Sequence, residues 1–166
     1  MEILSIVLTA VNVILTILSA IGTYRSLRYY KKSKRLASLV KANQSLAEVE
    51  KMLNRIPDLL DISYQIRCRK RGYNYHIALC EVGKELNASL NQILSEMPLK
   101  NADEFNSLLE KDGFSLRDYI NSIINGDVLN EEDGIRLEEY SRCQNRLLDM
   151  QMYLRNMVEN IEEDFK

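Results

Sequence analysis

ILSIVLTAVNVILTILSAIG, residues 3–22, is a run of twenty residues without a charge. At 1.5 Å per helical residue it spans about 30 Å, the thickness of a bilayer's hydrocarbon core. Uncharged apolar runs of this length are the sequence mark of a membrane-spanning helix. Only Met1-Glu2 precedes it, whereas a secretory leader opens on a basic segment. Ala20-Ile21-Gly22 has the small-x-small spacing of a leader cleavage site, so a cleaved leader is the rival reading. Arg25, Arg28, Lys31, Lys32, Lys34 and Arg35 follow within a few residues. Such a cluster resists translocation and marks the cytoplasmic side. The expectation is an uncleaved single-pass anchor in the cell membrane, with the N-terminus outside and the C-terminal domain cytoplasmic.

The polar residues of this stretch are Ser5, Thr9, Asn12, Thr16 and Ser19, and Thr23 and Ser26 continue the series. Their spacing alternates between four and three, which places all seven on one stripe of a helix. In lipid, small and hydroxylated residues permit close approach and interhelical hydrogen bonds. Asn12, near the midplane, is the most costly of them to leave without a partner. The stripe therefore predicts self-association, with a narrow polar path as a further step. The rival is that the Ser and Thr hydroxyls bond back to their own helix carbonyls.

The net charge of −2 conceals a split. Residues 23–71 carry thirteen Lys/Arg against four Asp/Glu, and residues 72–166 carry nine against nineteen. A basic part beside the bilayer and an acidic part away from it suit an anionic inner leaflet. The acidic balance of the distal part argues against general nucleic-acid binding. Cys68, Cys80 and Cys143 are odd in number and widely spaced, as expected of reduced thiols rather than a disulfide framework. His76 is the only histidine, and neither a C-x-x-C nor an H-E-x-x-H motif occurs, so no zinc site and no other cofactor is expected.

The pattern stays helical from Thr23 to Pro57. Leu39, Ala42, Leu46, Val49, Leu53, Ile56 and Leu60 repeat at three and four, a core stripe. Extended backwards, it passes Arg35, Lys32, Arg28 and Arg25, so one helix is expected to run from the membrane to about Arg55. These cations are read as contacts to anionic lipid headgroups. Pro57 ends or kinks the helix. Residues 58–97 read as one long, bent helix, with a break at Gly72 as the alternative. Pro98 stops it, and Asn101 is the expected cap of a short helix that ends at Gly113. Ser115 caps another short helix that ends at Gly126, and Asn130 opens a long last one. Tyr140, Cys143, Leu147, Met150, Leu154, Met157 and Ile161 form that helix's apolar stripe. No strand signal is read. The expected fold is all-α: a transmembrane helix (1–22), a basic juxtamembrane and amphipathic helix (23–57), and a cytoplasmic bundle (58–166) of three long and two short helices, counting the juxtamembrane helix among the long ones.

The sequence shows no catalytic signature, and an enzyme is not expected. One cluster stands out: Tyr64, Arg67, Arg69, Lys70, Arg71, Tyr73, Tyr75 and His76. Guanidinium groups grip phosphate oxygens and rings stack on bases, so it is a candidate site for a nucleotide-like anion. A solvated charge run or a further lipid contact is the plainer account. The functional expectation is a non-enzymatic homo-oligomer whose cytoplasmic domain senses a ligand or protein partner and acts on the membrane, as an effector or pore. The alternative is a tethered adaptor that binds another protein through its bundle.

Overall fold

The computed structural model describes residues 2–68, 72–97, 99–130 and 134–163, with side chains for 7, 8, 11–68, 72–97, 101–129 and 134–163. The fold is all-α. In chain order it contains α1 (Glu2–Arg55), α2 (Asp58–Arg67), α3 (Tyr75–Glu96), α4 (Leu99–Leu109), β1 (Glu110–Lys111), β2 (Phe114–Ser115), α5 (Leu116–Asn125), β3 (Leu129–Asn130), β4 (Gly134–Ile135) and α6 (Leu137–Glu163). The chain divides into two compact units, residues 1–38 and 39–166. Among the described residues no helix is long and apolar enough to cross a membrane. Of the stretch 3–22, the side chains of Ile3, Leu4, Ser5, Ile6, Thr9 and Ala10 lie outside those described.

Within residues 39–166, the three long apolar repeats supply the core. On α3, Leu79, Val82, Leu86, Leu90 and Ile93 are all buried, as their spacing predicts, with Met97 following at the C-cap. On α6, Tyr140, Cys143, Leu147, Met150 and Leu154 are buried, and Val158 rather than Met157 continues the line. On α1 the buried line is Ala42, Ser45, Val49 and Met52, carried on by Ile56 in the turn that follows and by Leu59 of α2. Leu39, Leu46 and Leu53 are half-buried and Leu60 is exposed. The stripe read from the sequence is therefore one edge of the buried face. A serine at position 45 hides its centre from any reading by hydropathy.

Residues 58–97 form two helices, not one. Asn74 caps α3, its side chain accepting a hydrogen bond from the Ile77 backbone N–H at 3.3 Å. Gly72 takes the left-handed φ of 77°, which no helix interior tolerates. The like charges at Arg67–Arg71 also disfavour a continuous helix there, although 69–71 lie outside the described residues. Asn101 does not cap a helix but sits inside α4, where its amide donates to the Tyr153 hydroxyl at 3.1 Å. The short helix ends at Leu109, not Gly113, and α6 opens at Leu137, not Asn130. Residues 131–133, expected in its first turn, fall outside the described residues.

Both displaced boundaries make room for the strands that the sequence reading lacks. β1 pairs antiparallel with β2, and β3 with β4. Asp112 and Gly113 join the first pair with φ of 55° and 71°. Two consecutive left-handed residues are what a tight hairpin of this hand requires, and Asp-Gly is a preferred pair for it. Strands of two residues are too short to show alternation, so the turn dipeptide is their whole signal. Ser115 caps α5 by accepting from the Asp118 N–H at 3.2 Å, and Gly126 ends that helix at φ 81°, both as expected.

Candidate functional site

The seam lies in the unit formed by residues 1–38. Asn12, Thr16, Ser19 and Thr23 are exposed and line one shallow, open groove with Leu15 and Leu27. The side chains of Ser5 and Thr9 lie outside the described residues. The Thr16 hydroxyl donates to the Asn12 carbonyl at 2.8 Å, and that of Thr23 donates to the Ser19 carbonyl at 2.9 Å. Both threonines thus follow the rival pattern, each spending its only proton on its own helix. What they still offer a neighbour is small size and oxygen lone pairs. The Asn12 amide carries two donors and an acceptor oxygen of its own.

Arg25, Arg28, Lys31, Lys32, Lys34 and Arg35 are all exposed. Tyr24, Tyr29 and Tyr30 interleave with them at 69%, 73% and 66% exposure. Sequence reasoning passed over these three rings. Their signal is position, since tyrosines gather where an apolar segment meets headgroups.

The basic-aromatic cluster is not one helical face. Tyr64 and Arg67 are on α2, Cys68 is its C-cap, and Tyr75 and His76 open α3. Arg69, Lys70 and Arg71 lie outside the described residues. Tyr64, Arg67 and His76 are exposed. The Tyr64 hydroxyl hydrogen-bonds the Cys68 side chain, which raises its pKa above the usual phenol value. Tyr73 and Tyr75 pack against the hydrophobic core, and the Tyr75 ring lies 4.3 Å from that of His76. Two of the rings expected to stack on a ligand are therefore committed to the protein.

Two features not foreseen lie in the unit formed by residues 39–166. The first is a cavity of about 480 Å³ floored by Met52 and Leu86 and rimmed by Glu50, Lys51, Arg55, Asp58 and Glu85. Arg55 bridges its walls, pairing with Asp58 and with Glu85 (Nε to Oε2 2.8 Å). The second is Arg146 on α6, 9% exposed. It donates to the Asp112 carboxylate at 2.7 Å, the Lys111 carbonyl at 3.1 Å and Asp149 at 3.1 Å. This guanidinium ties the β1–β2 hairpin to α6. Nothing in the sequence separates it from the solvated arginines around it.

Chemically, the interior of this unit is closed. Burial pushes the Cys143 thiol well above its ordinary range, so it stays protonated at neutral pH. Burial, then the neighbouring Cys143, Glu139 and Tyr140, does the same to the Tyr119 hydroxyl. Cys68 is exposed, Cys80 half-buried and Cys143 buried. Among the described residues no three His, Cys, Asp or Glu side chains are grouped as metal ligands. No protein-family model, curated protein or solved structure matches the chain.

Proposed function

We propose that the chain is a non-enzymatic, single-pass membrane protein that self-associates through its N-terminal helix. On this reading its helical domain senses a ligand or protein partner and acts on the bilayer. The observation that carries it is the twenty-residue uncharged run 3–22, with Asn12, Thr16 and Ser19 of its polar seam exposed, and the six cations that follow. The run is long enough for a hydrocarbon core, and the cations with Tyr24, Tyr29 and Tyr30 have the composition of a headgroup-level belt on an anionic cytoplasmic leaflet.

The test has two parts. The mass of the full-length protein in detergent should correspond to more than one chain; a strict monomer overturns the reading. Exchanging residues 3–22 for an unrelated transmembrane sequence should abolish its action on membranes while the helical domain stays folded.

A tethered adaptor is the second reading, and the back-bonded Thr16 and Thr23 favour it. Under it the same exchange leaves function intact. A nucleotide-like anion at Arg67 and its neighbours is a further proposal, weakened by the packed rings of Tyr73 and Tyr75. Arg67→Glu should abolish binding if the site exists, and no thermal shift across a nucleotide panel removes it.

A further inference from the structure

Within the unit formed by residues 39–166, the last turns of α1 and the middle of α3 leave a gap. This is the cavity of about 480 Å³, inside the range of about 300–1,000 Å³ usual for small-ligand sites. Arg55 pairs with Glu85 at its rim, Nε to Oε2 2.8 Å, and Lys41 pairs with Glu96 at 3.8 Å further along both helices. Both helices contribute short side chains to the lining, Ala47 of α1 and Ser89 of α3, where longer ones would fill the space. Ser89 is 2% exposed, and among the described residues its hydroxyl has no hydrogen-bond partner. A buried hydroxyl left alone is costly, and an occupant of the cavity supplies what it lacks.

Charge narrows the occupant. Arg55 offers one positive charge to two carboxylates, Asp58 and Glu85. Lys51 is paired with Glu48 at 3.6 Å, and Glu50 with Arg155 at 3.9 Å. The charged residues lining the cavity, taken with these partners, leave one negative charge unmatched. Arg55 takes Oδ2 of Asp58, while Oδ1 has no hydrogen-bond partner among the described residues. An incoming anion would have to displace carboxylates already seated on Arg55, whereas a cation meets an open carboxylate oxygen. Beneath the rim the lining is apolar, with Ala47, Met52 and Leu86.

We propose that this cavity binds a small organic cation with an apolar body. The charged end lies at Asp58 and Glu85, the body lies against Ala47, Met52 and Leu86, and the Ser89 hydroxyl bonds a polar group of the ligand. The inference rests on the ligand-sensing role proposed above and names its site and the class of ligand. Such an occupant touches α1, α2 and α3 together, so binding stabilises their packing.

Benzamidine, benzamide and benzoate test this, because they share one ring and nearly one size but differ in charge. The full-length protein in a neutral detergent carries methionine labelled with carbon-13 at its methyl, and Met52→Leu assigns the Met52 signal. Benzamidine should shift that signal saturably. Benzamide and benzoate should bind at least about tenfold more weakly, as expected when a hydrogen bond between charged groups is lost. Asp58→Asn with Glu85→Gln should weaken benzamidine by at least about tenfold. Asp61→Asn, outside the cavity, should leave it unchanged. Ala47→Phe fills the cavity from an exposed position, so it should abolish binding while thermal unfolding stays intact, and it decides the matter if the double variant misfolds. Equal affinity for the three probes, or preference for benzoate, overturns the ligand class. No Met52 shift with any probe, or undiminished binding in Ala47→Phe, overturns the site. Self-association is read separately, from mass in detergent. A multi-chain protein that ignores benzamidine loses this inference alone, and a monomer that binds it loses the self-association but keeps the site.

Discussion

Gly83→Ala reports directly on how closely two helices of the domain approach. Gly83 lies mid-way along α3, where alanine is normally favoured by about 1 kcal/mol. Here an added Cβ would stand 2.6 Å from Ile124 Cγ1, 3.0 Å from the Ile124 backbone nitrogen and 3.2 Å from Ile123 Cγ2. The side-chain contact can be relieved by a rotamer change, but the backbone contact requires α5 to move away. Overpacking of this kind costs about 1–3 kcal/mol. Set against the propensity gain, the net loss lies between about zero and 2 kcal/mol, or up to about 8 °C in Tm for a unit of this size. The assay is thermal and urea unfolding of the full-length protein followed by far-ultraviolet circular dichroism. Gly83→Val should cost more, and Ile124→Ala combined with Gly83→Ala should cost less than the sum of the two, because the nearest contact is gone. A rise in Tm for Gly83→Ala alone would mean that propensity decides and that α3 and α5 are not this close.

Arg146→Ala should destabilise by about 1.5–3 kcal/mol, the range for hydrogen bonds to a charged group. Asp112 and Asp149 keep water contact, so the full penalty of a stranded buried charge does not apply; amide exchange across 110–115 should accelerate, and an unchanged exchange rate refutes the clamp. Ser115→Ala removes the cap on the Asp118 N–H and should cost about 1 kcal/mol, read as a lowered urea midpoint. For Cys143 the sign is set by its raised pKa. The unfolded chain releases this proton near the ordinary value of 9.0 while the folded chain keeps it, so stability falls as pH rises past about 9. Urea midpoints between pH 8 and 10.5 should decline less steeply in Cys143→Ala; parallel slopes would contradict the assignment.

The long helices were legible because each repeats its apolar residues over several turns. α3 buries the residues that the repeat picks out, and α6 does so as far as Leu154. What the sequence hid was of two physical kinds. Small polar residues placed by tertiary contact carry no periodic mark: Ser45 at the centre of a buried line, and Ser63, whose hydroxyl accepts from the Ile135 N–H at 3.1 Å and pins β4 to α2. Short elements bounded by turns were the other kind. Asp112-Gly113 was visible as a dipeptide, but it closes strands of two residues, below the length at which alternation exists. The candidate site divided the same way. The seam and the cation cluster follow from spacing alone, whereas the described residues of the basic-aromatic cluster are divided between α2, α3 and the turn at Gly72, whose φ is 77°.

Magnitudes then decide what can hold copies of α1 together. Thr16 and Thr23 have each spent their hydroxyl proton on a carbonyl four residues back. Of the described residues lining the groove, Asn12 brings the most donors. An interhelical side-chain hydrogen bond in a membrane contributes about 0.6 kcal/mol on average and at most about 1.7. Asn12→Leu should therefore weaken self-association by about threefold to twentyfold, measured as a dissociation constant in detergent by fluorescence transfer between labelled chains. It should not abolish it. If copies associate as proposed, one hydrogen bond of this size is not the sole source of affinity, and the remainder comes from packing along the helix. If Asn12→Leu leaves a strict monomer, the hydrogen bond rather than packing along the helix governs assembly.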